Sequence, residues 1–438
     1  MTEVWQAAAE VVAAWLQQRR SARDLIAGDR LLHRAPPEVR AGVARLAQAV
    51  AGAWRRLEFA LGGAHRLGPL APRARAAAFV LAHQVEQGLL PPAQAEALCA
   101  AVAGCRLVFC SRPELERRLA TIADENERFA VQHSMPDWLA ARLRTQFGGA
   151  APELARSLES APPRTVRTNT LRVASRVELA AALLAIGVTT RPTSHAPLGL
   201  HVEGHADLFA TPLYRRGAFE QQDEASQLAA LVVAPPPGGR VLDVCAGSGG
   251  KTLALAAALR GRGEILATDV HQQRLEALRR RGRRAGADNV RTLRIGKGDF
   301  GGEVAAFAAR ADRLLVDAPC TGTGSWRRRP EARWSVTEPQ LEALLAAQDR
   351  LLDRAADALR RGARLVYATC SLLEVENEAR VAALRARRPW LETVRVAEIL
   401  GGDAARPVTD ATGTFLSTRP DRHGCDGFFA AVLRRPRR

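Results

Sequence analysis

The stretch VLDVCAGSGGKT, residues 241–252, most constrains how this chain of 438 residues folds. Val241 to Val244 is typical of a short apolar strand, and residues 246–250 form a turn with almost no side chains. Lys251 to Leu259 consists of strong helix formers. In α/β sheets such a strand, turn and helix present backbone N–H groups and a helix N-terminus to a ligand. The stretch therefore predicts a cofactor or nucleotide site.

Three interpretations of this turn differ in the ligand. A dinucleotide-binding turn has the pattern G-x-G-x-x-G, which residues 247–250 match poorly. A phosphate-binding P-loop ends in G-K-T, as residues 250–252 do, but its first glycine would fall at Cys245. The third interpretation is the S-adenosylmethionine loop of a class I methyltransferase. Lys251 is one of only two lysines in this arginine-rich chain, which indicates a specific need for a compact ammonium group.

Strands and helices alternate from Arg240 onward, which predicts an α/β, doubly wound, Rossmann-like sheet. Asp269 ends a second strand and lies 20 residues beyond Gly249, the offset at which a carboxylate accepts ribose hydroxyls in this architecture. Asp299 follows a third strand at 291–295 and is placed to accept from an adenine amino group. NAD enzymes and methyltransferases share these features.

Two cysteines follow the next two predicted strands: Cys320 after 313–317, and Cys370 after 364–369. In a doubly wound sheet these strands are neighbours about 4.8 Å apart, and ligands bind beyond their carboxyl ends. We therefore expect both cysteines to open into one crevice beside the glycine turn. One buried cysteine is ordinarily inert, but two at the same edge favour chemistry.

A pyrimidine substrate explains the need for a thiolate. Addition of a thiolate to carbon 6 of cytosine turns carbon 5 into an enamine carbon that accepts a methyl group. Asp317, at the end of the strand before Cys320, is placed to face the cytosine N3 edge. The second cysteine would then assist release of the product, and the target base must leave its stack to enter the crevice.

The formal net charge of +17 comes almost entirely from arginine and predicts a polyanionic partner, most simply RNA. The alternative is a solvated basic surface. Three arginines of the small middle segment could meet phosphate oxygens or face solvent: Arg167, Arg172 and Arg191, the first two in a half-buried strand at 165–172. Seven cysteines fit no disulfide framework and favour a reducing cytoplasm. We expect no signal peptide, no membrane span and no metal site.

Three domains are predicted. Residues 1–130 form an all-α domain of about six helices with Trp5 and Trp15 in its core, since its apolar residues recur at helical spacing. Residues 131–232 form a small α+β RNA-binding segment, and residues 233–438 form the domain with the glycine turn.

The motifs resemble those of the RNA cytosine-C5 methyltransferases. The resemblance covers about 135–438 and is carried by the 241–252 stretch together with RTNTLR (167–172), QDEASQ (222–227), DAPCTGTGSWRRRPEARW (317–334), YATCSLLEVENE (367–378) and DGFFAAVLRR (426–435). It implies that Cys370 is the nucleophile bonding to carbon 6 and that Cys320 assists product release. It also implies S-adenosyl-L-methionine as cofactor, bound by Cys245, Ala246, Gly247, Ser248, Gly249, Gly250, Lys251, Asp269, Asp299 and Asp317, with Asp317 also facing the cytosine.

The helical N-terminal region resembles the NusB-like domain of the bacterial 16S rRNA methyltransferase B type, which implies a monomeric cytoplasmic enzyme acting on 16S rRNA. Three alternatives are a tRNA cytosine-5 methyltransferase, a P-loop ATPase with Asp317 on magnesium, and an RNA-binding assembly factor that has lost activity. The ATPase leaves both cysteines unexplained. An inactive factor would have no reason to keep Cys320, Cys370, Asp317 and Lys251 together.

Overall fold

A computed structural model describes residues 2–437 apart from 19–21, 30–31, 33, 64–66, 104–105 and 205. The chain divides into two compact units. The first comprises residues 1–160 and 326–338, and the second comprises residues 161–325 and 339–438. The predicted boundary at residue 130 lies inside the first unit.

The first unit is helical in the part of it that the structure describes. Its helices are α1 Thr2–Gln18, α2 Ala22–Gly28, α3 Pro37–Ala60, α4 Pro72–Glu86, α5 Pro92–Ala103, α6 Arg112–Ala120, α7 Glu125–Gln132, α8 Asp137–Phe147 and α9 Ala151–Glu159. Trp15 on α1 is buried, and its ring meets that of Trp54 on α3 edge-on, with 5.2 Å between the centroids. The core position predicted for Trp15 is confirmed, while Trp5 is partly buried against the same core.

Residues 326–338 come from the middle of the second unit's sequence but pack within the helical unit. The Trp334 indole Nε1 donates to the Ala51 carbonyl at 2.7 Å, and its ring lies 5.2 Å from that of Trp54. The buried Arg333 guanidinium donates to the Ser134 carbonyl at 3.0 Å. Sequence reasoning missed this arrangement.

The second unit begins with a four-stranded antiparallel sheet in the order β2-β3-β1-β4. Its strands are β1 Thr165–Thr168, β2 Thr190–Pro192, β3 Gly199–Val202 and β4 Phe219–Gln221, with helices α10 Arg176–Leu184 and α11 Pro212–Arg215. The prediction of a half-buried strand over 165–172 is wrong in two respects: β1 ends at Thr168, and all four of its residues are buried. Arg167 is 3% exposed and donates to Gln222 Oε1 at 2.7 Å, so it is not available to an RNA phosphate. Arg172 and Arg191 are exposed.

The large sheet has the order β10-β12-β9-β8-β5-β6-β7, with β11 also paired to β12. Its strands are β5 Arg240–Val244, β6 Glu264–Asp269, β7 Val290–Arg294, β8 Arg313–Asp317, β9 Arg364–Thr369, β10 Glu392–Val394, β11 Leu416–Thr418 and β12 Phe428–Arg434. The helices of this part are α12 Glu224–Val233, α13 Gly250–Ala258, α14 Gln272–Ala285, α15 Gly302–Ala308, α16 Glu338–Ala358, α17 Glu378–Arg387, α18 Val396–Leu400 and α19 Pro420–His423.

Alternate residues of the central strands enter two hydrophobic cores, one on each face of the sheet. Val241, Ile265 and Leu315 belong to one core, whereas Leu242 and Leu314 belong to the other. Both faces must therefore be covered, which is why these strands are apolar throughout. The predicted doubly wound, Rossmann-like fold is confirmed, with five parallel strands and an additional antiparallel edge.

None of the helices described is long and apolar enough to cross a membrane.

Candidate active site

The predicted site residues lie at the carboxyl ends of adjacent strands. β5 is flanked by β6 and β8, and β8 is paired with β9, so the glycine turn after β5 and the two cysteine loops share one edge of the sheet. The expectation that the strands before Cys320 and Cys370 are neighbours is confirmed.

The glycine turn has the left-handed backbone that its sequence favours. Cys245, Gly247 and Gly249 have φ angles of 64°, 58° and 85°. A Cβ at Gly249 would lie 2.0 Å from Leu278 Cδ1, so only glycine fits there. A Cβ at Gly247 would meet nothing within 4 Å, which leaves open space over the turn.

Two acidic side chains, Asp243 and Asp269, accept hydrogen bonds from the turn and from the helix that follows it. Asp243 is buried, and its Oδ2 accepts from Thr252 Oγ1 at 2.6 Å, whereas its Oδ1 has no partner. Burial, with the nearby Asp317 carboxylate, raises the pKa of Asp243 to about 7, against the Thr252 hydrogen bond. Asp269 accepts from the Gly247 N–H at 2.9 Å, so the turn and the end of β6 are joined directly.

Two other residues predicted to bind the cofactor are exposed. Ser248 lies at the tip of the turn, and its carbonyl accepts from Arg281 Nη1 at 2.5 Å. Asp299 lies in the loop after β7 and accepts from the Gly301 N–H at 2.8 Å. Each keeps acceptor capacity toward solvent.

The two loop cysteines meet directly. Cys320 Sγ and Cys370 Sγ lie 3.5 Å apart, close enough for one thiol to donate a hydrogen bond to the other sulfur. This hydrogen bond lowers the pKa of Cys370 and, together with burial, raises the pKa of Cys320 well above its usual range. These directions correspond to Cys320 donating its proton toward the Cys370 sulfur. Among the other cysteines of the chain, Cys105 lies outside the described residues.

Lys251 completes the electrostatics of the site. Its Nζ lies 2.7 Å from Asp317 Oδ2 and 4.5 Å from the centre of the Phe428 ring. The ammonium group also lowers the pKa of Cys370, whereas burial and the Asp317 carboxylate raise it. Burial, reinforced by Asp317 and Asp269, raises the pKa of the third thiol, Cys245, to about 12, so Cys245 stays protonated.

Sequence reasoning missed the residues that hold the two loops. The Gly324 N–H donates to the Cys370 carbonyl at 2.9 Å, and the Gly427 N–H donates to the Gly324 carbonyl at 2.8 Å. A Cβ at Gly324 would lie 2.2 Å from the Gly427 carbonyl oxygen. Glu376, Thr321 and Ser371 add a buried hydrogen-bond network behind the sulfurs. The available signal in the sequence was the acid at position 376, six residues after Cys370.

Two family models match the chain. The model described as 16S rRNA methyltransferase RsmB/F matches residues 230–434, and the RsmF/B-like, ferredoxin-like domain model matches residues 135–208. A probable ribosomal RNA small subunit methyltransferase B from Synechocystis is 32% identical, over 69% of this chain and 67% of that protein. The ribosomal RNA small subunit methyltransferase B of Xanthomonas campestris is 31% identical, over 83% of this chain and 82% of the relative.

The chain belongs to the RsmB/F family of methyltransferases. The family match decides against the P-loop ATPase as the interpretation of the glycine turn. Among solved structures, a methyltransferase homolog from Pyrococcus horikoshii aligns with a TM-score of 0.60 and 26% identity over 72% of this chain and all of that one. NSun6 from the same organism, solved with SFG, aligns with a TM-score of 0.61 over 69% of this chain and 99% of that one, which at 22% identity shows the fold alone.

S-adenosyl-L-methionine is the cofactor of this RsmB/F methyltransferase, and the turn suits it. The open space over Gly247 admits a ligand close to the backbone. Asp269 and Asp317 end two strands and Asp299 lies in the loop after a third, at the edge where ligands bind to such sheets. The assignment of individual cofactor contacts to residues 245–251, Asp269, Asp299 and Asp317 stays a prediction.

Proposed function

We propose that this protein methylates carbon 5 of a cytosine in 16S ribosomal RNA through a covalent bond between Cys370 and carbon 6. The observation that carries the proposal is the pair of sulfurs, 3.5 Å apart, beside the Lys251–Asp317 ion pair. A methyltransferase acting on nitrogen or oxygen has no need of two thiols at the methyl-accepting edge.

The cofactor would be held by the glycine turn and the carboxylates Asp269 and Asp299. S-adenosylmethionine supplies an electrophilic methyl group, which the activated carbon 5 accepts. Ser248 at the tip of the turn is exposed, and the buried hydrogen bond from Thr252 to Asp243 joins the helix after the turn to the strand before it.

Cys370 performs the first half of the reaction. Its thiolate forms the sulfur–carbon 6 bond, the carbon 5–carbon 6 double bond breaks, and the electron pair moves toward N3. Asp317 is placed at the N3 edge, and the Lys251 ammonium group, 2.7 Å from Asp317 Oδ2, would offset the negative charge that develops there. The ring then has a nucleophilic carbon 5.

Cys320 serves the second half. A base, a water molecule or a side chain at this edge, takes the carbon 5 proton, and the electrons of that C–H bond re-form the carbon 5–carbon 6 double bond. The sulfur–carbon 6 bond breaks as Cys370 departs as a thiolate. Because Cys320 keeps its proton and lies within hydrogen-bond reach of the departing sulfur, it stabilises that thiolate. The roles implied by the family resemblance agree with this division.

The choice of 16S rRNA rests on the relatives. The curated relatives are called ribosomal RNA small subunit methyltransferases B or F, and the RsmB/F model spans the whole catalytic region. The excess of arginine suits a large RNA substrate.

Cysteine substitutions test the chemistry. Cys320→Ala should accumulate a protein–RNA adduct that survives a denaturing gel, because addition proceeds and expulsion stalls. Cys370→Ala should be inactive and form no adduct, while Cys99→Ala, a buried cysteine of the helical unit, should behave as wild type. If Cys370→Ala formed the adduct instead, the two cysteines would have exchanged roles. If neither variant formed an adduct, covalent catalysis would be overturned. Bisulfite mapping of ribosomal RNA from cells lacking the protein would locate the cytosine.

A further inference from the structure

Glu376 is a buried acid whose two carboxylate oxygens accept four hydrogen bonds. Oε1 accepts from the Thr321 N–H at 2.9 Å and from Gln348 Nε2 at 3.0 Å. Oε2 accepts from Thr321 Oγ1 at 2.5 Å and from the Ser371 hydroxyl. Its side chain is 0% exposed, so it meets neither RNA nor cofactor.

The donors belong to the two loops that carry the reactive sulfurs. Thr321 directly follows Cys320, and Ser371 directly follows Cys370. Gln348, on α16, also donates to the carbonyl of Pro319, the residue before Cys320. The Glu376 carboxylate thus links Thr321, the residue after Cys320, to Ser371, the residue after Cys370.

A second set of contacts runs parallel to the first. Thr323 Oγ1 accepts from the Leu372 N–H at 2.8 Å and lies 3.2 Å from the Ser371 hydroxyl. Behind Glu376, its own carbonyl accepts from the Tyr367 hydroxyl at 2.5 Å, and Asn377 Nδ2 donates to the Ser371 carbonyl at 2.9 Å. The Tyr367 hydroxyl therefore fixes the backbone at Glu376, and Asn377 fixes the loop that carries Cys370.

The two partners of Oε1 leave it a single role. A backbone N–H and an amide N–H can only donate, so Oε1 must be an acceptor. Burying a carboxylate is costly unless its oxygens are hydrogen-bonded, and here each oxygen receives two donors. Because the carboxyl group is buried at this cost and contacts no substrate, we expect it to fix the positions of the two loops.

We propose that Glu376 is a positioning residue that sets the separation of the Cys320 and Cys370 sulfurs. Without it the two loops are joined mainly through Thr323 and Gly324, and the thiol–thiol hydrogen bond is lost for much of the time. Insofar as the separation serves catalysis, the inference rests on the proposed function: release of the product, which needs both sulfurs together, suffers more than formation of the adduct.

The thiols themselves provide a measurement that needs no RNA. Diamide, a diazene oxidant, takes two electrons and two protons from a pair of thiols, giving a disulfide and a hydrazine. One sulfur first adds to diamide, and the second sulfur then displaces the hydrazine from the first, a step that requires the two sulfurs to be close. Mass spectrometry of peptides would follow formation of the Cys320–Cys370 disulfide in the full chain. We expect Glu376→Ala to slow it about tenfold, and Glu376→Gln to slow it less.

Two controls separate position from stability. Glu374→Ala changes an exposed acid in the same turn, and Leu384→Ala removes a buried side chain of α17 that belongs to the core on one face of the sheet. Both should form the disulfide at the wild-type rate. If Glu376→Ala does not fold, Thr321→Val, which removes one donor to Oε2, replaces it and should also slow the reaction. A rate in Glu376→Ala or Glu376→Gln equal to that of the controls overturns the proposal.

The catalytic consequence is measured separately with RNA. Glu376→Gln should trap more adduct per methylated product than wild type, a ratio that a loss of stability alone leaves unchanged. An unchanged ratio would remove the catalytic part of the inference. If Cys320→Ala forms no adduct while the diamide rates still differ as expected, the proposed cytosine chemistry fails and the positioning role of Glu376 stands.

Discussion

Lys251 shows how much of the site depends on one residue type. It is one of two lysines in the chain, the other being the exposed Lys297. Buried at the start of α13, it pairs with Asp317 and acts to lower the pKa of Cys370. An arginine would spread the same charge over a planar group instead of concentrating it at one ammonium nitrogen.

Replacing Lys251 should therefore weaken the nucleophile. In Lys251→Gln the pKa of Cys370 rises, because an adjacent positive charge that favours the thiolate is gone. The rate of Cys370 alkylation by iodoacetamide, followed by peptide mass spectrometry, should fall roughly threefold to tenfold at neutral pH and recover at higher pH. Lys297→Gln is the matched control and should leave the profile unchanged. A profile that does not move in Lys251→Gln would mean that the ammonium group has no effect on the thiol.

Asp243 predicts a pH dependence of stability. Its pKa is raised by burial from 3.8 to about 7, so the folded protein binds its proton more tightly than the unfolded chain does. The stability of the folded state is therefore greatest below about pH 4 with respect to this group, and it declines as the pH rises to about 7.

Asp243→Asn should remove that decline. The free energy of unfolding, measured by chemical denaturation at pH 5 and pH 8, should fall less between the two values in the variant than in wild type, by up to a few kcal/mol. An equal pH difference in both proteins would show that the Asp243 pKa is not raised. Asp299→Asn, an exposed carboxyl at the same edge of the sheet, is the control and should keep the wild-type pH difference.

Among the elements, the short helix Pro330–Trp334 is the least expected. It follows the Cys320 loop in sequence yet packs within the helical unit, where Trp334 contacts Trp54 and the Ala51 carbonyl. Gly52 is required below it, since a Cβ there would lie 2.9 Å from Pro330 Cβ. The helical unit therefore includes residues 326–338, which follow the loop of Cys320 in the sequence.

Trp334→Ala should destabilise the helical unit. Loss of a large aromatic side chain and of its hydrogen bond to Ala51 should cost about 2–4 kcal/mol, seen as a lower melting temperature and faster trypsin cleavage at Arg327–Arg329. Trp390→Ala, which removes a partly buried tryptophan from the second unit, should leave cleavage at those arginines unchanged. Equal cleavage in both variants would mean that Trp334 does not hold the segment.

For the whole molecule, the number of arginines overstates the number of cationic groups that are free to meet RNA. Several arginines are used internally: Arg56 pairs with Glu86 and Glu159, and Arg281 and Arg284 pair with the buried Glu220. On α14, Arg280 and Arg283 are exposed and give that helix a basic face.

Binding of RNA should weaken steeply with salt, because each phosphate contact releases counterions. Affinity for a ribosomal RNA fragment, measured from 50 to 200 mM salt, should fall about a thousandfold if six or more phosphates are contacted. The double variant Arg280→Gln/Arg283→Gln should make the slope of log affinity against log salt shallower by about two. Arg387→Gln, on an arginine already paired with Asp353, is the control. A wild-type slope in the double variant would mean that Arg280 and Arg283 do not contact RNA phosphates.

The local features of this fold were determined by the sequence. The bounds predicted for β6, β8 and β9 match the structure, because apolar runs bounded by glycine, proline or acid specify strands without reference to distant residues. The strand containing residues 291–294 was placed to within one residue. The positions of Cys320 and Cys370 at one sheet edge followed, since the order of strands in a doubly wound sheet is narrowly limited.

The tertiary structure alone decided which polar side chains are buried and with what partners. Arg167 looked like a surface residue of an alternating strand, but a partner 55 positions away, Gln222, draws it inside. Glu376 and Trp334 likewise acquire their roles from Thr321 and Ala51, residues that no local pattern connects to them. Backbone geometry follows from neighbouring residues, whereas the burial of a charge or an indole depends on contacts that exist only once the chain has folded.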